Sequence, residues 1–170
     1  MRGDSSSMRV LKPRTAAEAV SELEAHPQAT PLAGGTDFMV GWNAGFLNGR
    51  TVLDLWGLKE WKRIEVSKTS ARLGALVTHA QIQAHPVIDK EFPLLVEACA
   101  TVGAAQIQNR GTIGGNIANA SPAADTFPPL AVYEAVVHLV SGKGRRAVPF
   151  MELFAGVKKT TLGSGELIEA

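Results

Sequence analysis

The residue types able to do chemistry concentrate in one stretch, Gly111-Thr112-Ile113-Gly114-Gly115-Asn116-Ile117-Ala118-Asn119-Ala120-Ser121-Pro122-Ala123-Ala124-Asp125. Glycines, short hydroxyls, amides and one carboxylate stand together there without a bulky charge. Gly114 and Gly115 lack a Cβ, which permits positive φ and lets peptide N–H groups converge into a concavity suited to phosphate oxygens. Thr112, Asn116 and Ser121 add short hydrogen-bonding side chains. Asp125 is of the type that accepts from a sugar hydroxyl in other nucleotide sites. A second loop of the same kind, Ala33-Gly34-Gly35-Thr36-Asp37, lies upstream between two strand-like apolar pieces, Pro31-Leu32 and Phe38-Met39-Val40. Either loop alone is also an ordinary turn. As a pair they offer a place for the two phosphates of one pyrophosphate.

The chain's own side chains do not supply the reacting groups. No Ser/His/Asp arrangement, paired-carboxylate site or metal-ligand cluster is visible, so no catalytic and no metal residue is assigned, and a cofactor must carry the chemistry. The single cysteine, Cys99, excludes an internal disulfide, a four-thiolate iron–sulfur cluster or a zinc knuckle contained in this chain. It lies within an apolar helical stretch and reads as a small buried hydrophobe. His26, His79, His85 and His138 show no ligand spacing.

Composition sets the frame. With 170 residues, 45% hydrophobic and 19% charged, the sequence describes a globular protein able to bury one core or two small lobes around a cleft. A net charge of +1 gives no reason to expect nucleic acid or an anionic membrane as partner. Lys143, Arg145 and Arg146, around Gly142 and Gly144, read as a solvated hairpin turn. The polar start lacks the apolar core of a secretory signal and no long apolar run follows, so a cytoplasmic protein is expected.

The elements that must position the two loops follow from pattern. Residues 1–7 read as a flexible extension and Met8 to Leu11 as a strand. Thr15 and Glu18 have capping-box spacing ahead of a helix with Ala16, Ala19, Val20 and Leu23 on one face, stopped by His26-Pro27. Strands over Thr30 to Ala33 and Thr51 to Leu55 complete a small parallel βαβ-like lobe, residues 8–60. Between them Gly41 to Asn48 is loop or irregular helix, with Trp42 and Phe46 as core filling. Residues 61–170 form a second lobe. Ile64 to Val66 and Ala71 to Ala75 are strands about a polar turn, Thr78 caps a short helix ended by Pro86, and Pro93 opens a longer one running toward Ala105. Phe127 starts another, Val136 to Val140 and Ala147 to Phe150 make a hairpin, Met151 to Phe154 a helical turn, and a last strand lies near the end.

Ala-Gly-Gly-Thr-Asp followed downstream by Thr-Ile-Gly-Gly-Asn-Ile-Ala-x-Ala-Ser-Pro-x-x-Asp resembles the FAD-binding (medium) subunit of molybdenum hydroxylases, the xanthine dehydrogenase and carbon monoxide dehydrogenase type. The likeness runs from about Val10 to Ile168 and includes Leu73-Gly74-Ala75-Leu76-Val77-Thr78-His79 and Gly165-Glu166-Leu167-Ile168. It implies an α+β, two-lobed FAD-binding domain with a βαβ-like first lobe and a larger, largely antiparallel second one. It implies non-covalent FAD held by Ala33, Gly34, Gly35, Thr36 and Asp37 on one side and by Thr112, Gly114, Gly115, Asn116 and Ser121 on the other. Asp125 would hold the ribose or nearby hydroxyls, and Leu167 and Ile168 would approach the flavin or adenine edge. By the same resemblance the chain relays electrons from [2Fe–2S] clusters on a small partner subunit to NAD, quinone or oxygen, the molybdenum–pterin centre lying on a large partner subunit, with activity only in the complex. The resemblance further implies a third C-terminal lobe that this sequence does not contain, hence exposed apolar surface or a separate chain that supplies the lobe. A stand-alone flavin reductase of the UDP-N-acetylenolpyruvylglucosamine reductase type, which would show a Gly-x-Gly-Ser-Asn first loop, and a non-catalytic FAD-binding or assembly module are the alternatives.

Overall fold

A parallel three-stranded sheet forms the first part of the chain in a computed structural model that describes residues 5–170. Of the expected extension, residues 1–4 lie outside the described residues. Ser5–Ser7 make a single 3-10 turn, and the Gly49 N–H donates to the Ser7 hydroxyl at 3.1 Å. The strands are β1 (Arg9–Leu11), β2 (Thr30–Leu32) and β3 (Thr51–Asp54), in spatial order β1-β3-β2. The register sets Leu11 beside Leu53 and Leu32 beside Asp54. Helix α1 (Ala16–Ala25) connects the first two strands and buries Ala16, Ala19, Val20 and Leu23, the face that the apolar spacing predicts. Thr15 caps it by accepting from the Glu18 N–H at 3.2 Å, while the Glu18 carboxylate accepts from the Arg14 N–H at 2.8 Å.

Helix α2 (Phe38–Asn43) occupies the segment read as strand-like. Gly35, at φ +82°, turns the chain, and its carbonyl accepts from the Met39 N–H at 2.9 Å, so the backbone is already coiling before the apolar residues begin. Met39 and Val40 stay exposed, and Phe46 is 77% exposed rather than core filling.

The second part is antiparallel. Strands β4 (Ile64–Val66) and β5 (Ala71–Leu73) pair, β6 (Val136–Ser141) and β7 (Gly144–Pro149) form a hairpin, and β8 (Phe154–Gly156) pairs with β9 (Lys159–Thr160). The last strand, β10 (Leu167–Ile168), adds to β6. Among the helices, α3 (His79–Gln83) has a full capping box from Thr78 and Gln81. Pro86 does not merely end α3. It is the first residue of α4 (Pro86–Glu91), a position where the missing N–H costs nothing. α5 (Pro93–Thr101) stops before Gly103, at φ +57°, and α6 (Ala105–Gln108) follows as a separate turn. Then come α7 (Ile113–Asn119) and α8 (Phe127–Val132).

Two apolar clusters support these layers. One gathers α1, Leu53, Leu55, Leu58 and Trp61 and extends to Leu76, Val140 and Leu167. The other joins Ile82, Leu95, Cys99, Ile113, Ile117, Leu139, Phe150 and Ile168. The two residues of β10 therefore enter different clusters, and burying both side chains ties the clusters through one short strand. Among the described residues no helix is long and apolar enough to cross a membrane.

Candidate FAD-binding site

The two glycine loops meet. Gly34 lies so close to the Arg110 carbonyl that a Cβ there would overlap the peptide, with Gly111 Cα next nearest at 3.1 Å. Gly115 faces Ala33, whose Cβ would be 3.7 Å from a Cβ at position 115. The Asn119 side-chain amide donates to Asp37 Oδ1 at 3.3 Å, closing the seam at its outer end. Arg110 and Asn119 escaped the sequence reading as site residues. Their signal was adjacency alone, since Arg110 precedes the main loop and Asn119 lies inside it.

The second loop is the first turn of a helix. Neither Gly114 nor Gly115 is among the described residues with positive φ. Thr112 is the N-cap of α7, 2% exposed, and its hydroxyl accepts from the Gly115 N–H at 3.1 Å. The Ile113 N–H donates to the Val77 carbonyl at 2.9 Å and the Gly114 N–H to the Ala75 carbonyl at 3.0 Å. The amides at 113–115 are thereby satisfied within the protein rather than aimed at a ligand. A Cβ at position 114 would come within 2.6 Å of Ala75 Cβ, so this glycine lets the helix pack against the strand end. Position 115 is partly open, and a Cβ there would approach the Thr112 hydroxyl at 2.9 Å.

The first loop carries a run of free donors. Gly34, Gly35, Thr36 and Asp37 contribute four consecutive backbone N–H groups that have no acceptor among the described residues. They stand on partly open backbone ahead of α2. Four unpaired amides on a loop of small residues suit an anionic oxygen group.

Asn116 is held by Thr126, whose hydroxyl, 0% exposed, donates to Asn116 Oδ1. Thr126, also missed by the sequence reading, fixes the amide and leaves the other end of the carboxamide unpaired. Ser121 accepts from the Ala123 N–H at 3.3 Å in a local turn. Ala120, 4% exposed, adopts the left-handed conformation at φ 47° and reverses the chain after α7. Asp125 is exposed and has no hydrogen-bonding partner among the described residues. Leu167 and Ile168 are 3% and 7% exposed and buried in β10.

Beneath the seam lie His79 and Cys99, 1% and 0% exposed, with His79 Nδ1 3.5 Å from the thiol. The His79 N–H donates to the Gly111 carbonyl at 3.2 Å, which anchors the backbone just before Thr112. Burial lowers the His79 pKa and pushes the Cys99 thiol up to about 12, so both are neutral packing groups near neutral pH.

The residues present fit a flavin dinucleotide. The cradle of Gly34 and Gly115 excludes side chains, the amides of the first loop suit phosphate oxygens, and the open carboxylates of Asp37 and Asp125 suit sugar hydroxyls.

Comparison with known proteins places the chain in a family. Residues 6–170 match the family described as the FAD binding domain in molybdopterin dehydrogenase. The chain is 33% identical over 151 residues to the glyceraldehyde dehydrogenase medium chain of Sulfolobus acidocaldarius, covering 89% of this chain and 54% of that one. It is 36% identical over 146 residues to the nicotinate dehydrogenase FAD-subunit of Eubacterium barkeri, covering 85% and 49%. The fold superposes on quinoline 2-oxidoreductase of Pseudomonas putida 86 with a TM-score of 0.92 at 27% identity, over 99% of this chain and 59% of that one. The chain spans about half the length of the curated relatives it matches. Sequence and fold therefore agree that this chain belongs to the FAD-binding domain family of the molybdopterin dehydrogenases.

Proposed function

We propose that this chain is the flavin relay of a molybdenum hydroxylase complex and holds FAD non-covalently at the seam between its two glycine loops. The observation that carries the reading is the run of unpaired amides at Gly34 to Asp37 set directly against the second loop. Ala33, Gly34, Gly35, Thr36 and Asp37 would hold one side of the cofactor. Thr112, Gly114, Gly115, Asn116, Ser121 and Asp125 would hold the other, with Gly114 contributing through packing. Leu167 and Ile168 support the wall from β10. FAD, when bound, supplies the ability to take electrons singly and release them in pairs. The acceptor is NAD, a quinone or oxygen, the donor is a [2Fe–2S] partner chain, and the substrate meets a molybdenum–pterin chain. The work left to this chain is to bind and orient the cofactor and to keep water off its enclosed side.

Burial of Cys99 and His79 supports the non-covalent reading, because neither nucleophile reaches the seam's open side. Purified protein should bind FAD with flavin absorption, and acid denaturation should release the colour into the supernatant. Colour retained in the precipitate would contradict non-covalent binding, and failure to bind FAD at all would remove the relay reading.

A further inference from the structure

Arg110 meets the seam with its carbonyl and leaves it with its side chain. The carbonyl backs Gly34, while the guanidinium carbon lies 3.9 Å from the ring centroid of Trp56. Arg110 makes no ion pair among the described residues, so the half-buried indole is the partner of its charge. Trp56 is in turn fixed to the other loop. Its N–H donates to Asp54 Oδ1 at 3.0 Å, and Asp54 stands beside Leu32 in the register of β3 with β2. The preceding residue, Leu55, donates its N–H to the Leu32 carbonyl at 2.9 Å, and Leu32 leads through Ala33 into Gly34.

These contacts close a ring. Gly34 joins Leu32 through the chain, Leu32 joins Leu55 by a hydrogen bond, Trp56 follows Leu55, the indole meets Arg110, and the Arg110 carbonyl returns to Gly34. The second loop has anchors of its own, since Ala75 and Val77 accept from α7 and the Gly111 carbonyl accepts from the His79 N–H at 3.2 Å. The first loop has fewer, because the N–H groups from Gly34 to Asp37 are unpaired among the described residues. Its outer end is fastened by the bond from Asn119 to Asp37. At the Gly34 end the contact is only carbonyl against glycine, so the cation over the indole is the link that keeps the two loops in register there.

We infer that Trp56, which belongs to neither glycine loop, is a positioning residue for the flavin site. Its indole holds the Arg110 side chain, and the Arg110 carbonyl thereby sets the place of Gly34 and of the unpaired amides that follow. The inference rests on the reading of the seam as the FAD site. With the link cut, the loops sample a wider range of separations, and only a fraction of the free protein is ready to bind, which weakens the apparent affinity by that fraction.

The test is titration of FAD into wild type, Trp56→Leu, Trp56→Phe, Arg110→Met, Lys62→Met and the Trp56→Leu/Arg110→Met double variant, with the amide NMR shifts of Gly34 and Gly35 recorded on the same proteins without FAD. Trp56→Leu and Arg110→Met should each weaken FAD about twofold to fivefold, the worth of an exposed cation–π contact. The double variant should lose no more than either single one, because both changes remove the same contact. Trp56→Phe keeps an aromatic face and should recover most of the affinity. The Gly34 and Gly35 shifts should move in Trp56→Leu and return in Trp56→Phe. Lys62 is the internal control, since its Nζ lies 3.8 Å from the same centroid and it belongs to neither loop, so Lys62→Met should bind FAD as wild type does. Additive losses in the double variant, no recovery in Trp56→Phe, or a loss in Lys62→Met equal to that in Arg110→Met would overturn the inference. So would wild-type FAD affinity with unmoved shifts in a folded Trp56→Leu variant. A wild type that binds no FAD would instead remove the relay reading, and the two glycine shifts alone would then decide whether Trp56 positions the loop.

Discussion

At the scale of single residues, the site separates side chains that serve a ligand from those that serve the fold. Asp125 is exposed with no partner among the described residues, so its carboxylate contributes little to folding. Asp125→Ala should weaken FAD binding by about 1 to 3 kcal/mol, the worth of a charge-assisted hydrogen bond, with the thermal midpoint unchanged in the absence of FAD. Titration calorimetry and a melt on the same variant check both halves. Gly115 does two jobs at once, because a Cβ there would crowd the Thr112 cap at 2.9 Å and fill the gap toward Ala33 at 3.7 Å. Gly115→Val should therefore lose both stability and FAD affinity. Normal affinity in whatever fraction folds would show that the residue is only part of a helix start.

At the scale of elements, β10 is fastened as well as paired. Glu166, just ahead of the strand, accepts from Arg146 Nε at 2.6 Å and Nη2 at 2.7 Å and from the Gly163 N–H at 2.6 Å. The Arg146 hydrogen bonds, ahead of the other contributions, hold the Glu166 carboxyl below its ordinary range. A depressed carboxylate pKa stabilises the fold above the unfolded-state pKa of about 4.3, and that contribution is lost as pH falls through the lower folded value. The melting advantage of wild type over Arg146→Met should be full at about pH 7 and shrink toward about pH 3. An advantage unchanged by acid would show that Arg146 acts by packing rather than through the ion pair.

For the whole molecule, the seam proposed for the flavin lies between segments that belong to different layers. The first loop follows β2 of the parallel sheet, and the second opens α7 against Ala75 and Val77. A ligand that contacts both should stabilise the native state by mass action, about 2.7 kcal/mol at a concentration one hundred times its Kd. The thermal midpoint should climb with FAD concentration, and Asp125→Ala should shift that curve to higher FAD without moving its starting point. An unchanged midpoint at saturating FAD would contradict binding to the folded state.

The amino-acid sequence by itself determined the local choices that depend on neighbours a few residues apart. The apolar spacing of Ala16, Ala19, Val20 and Leu23, the Thr15 and Thr78 caps, the β6–β7 hairpin and the two loops rich in glycine were all legible because each rests on short-range geometry. What the tertiary structure decided are matters of who sits opposite. Gly114 and Gly115 look alike in sequence, yet the Ala75 peptide fills the space beside one and the other keeps an open side. The stretch after Thr112 became helix rather than loop because Val77 and Ala75 supply carbonyls for its first N–H groups, acceptors contributed from more than thirty positions upstream in the printed chain. Along Gly34 to Asp37 no such acceptor arrives among the described residues, and the amides stay unpaired. Arg110, Asn119 and Thr126 joined the site on the same terms, since close packing, not residue type, brings a carbonyl to Gly34, an amide to Asp37 and a buried hydroxyl to Asn116.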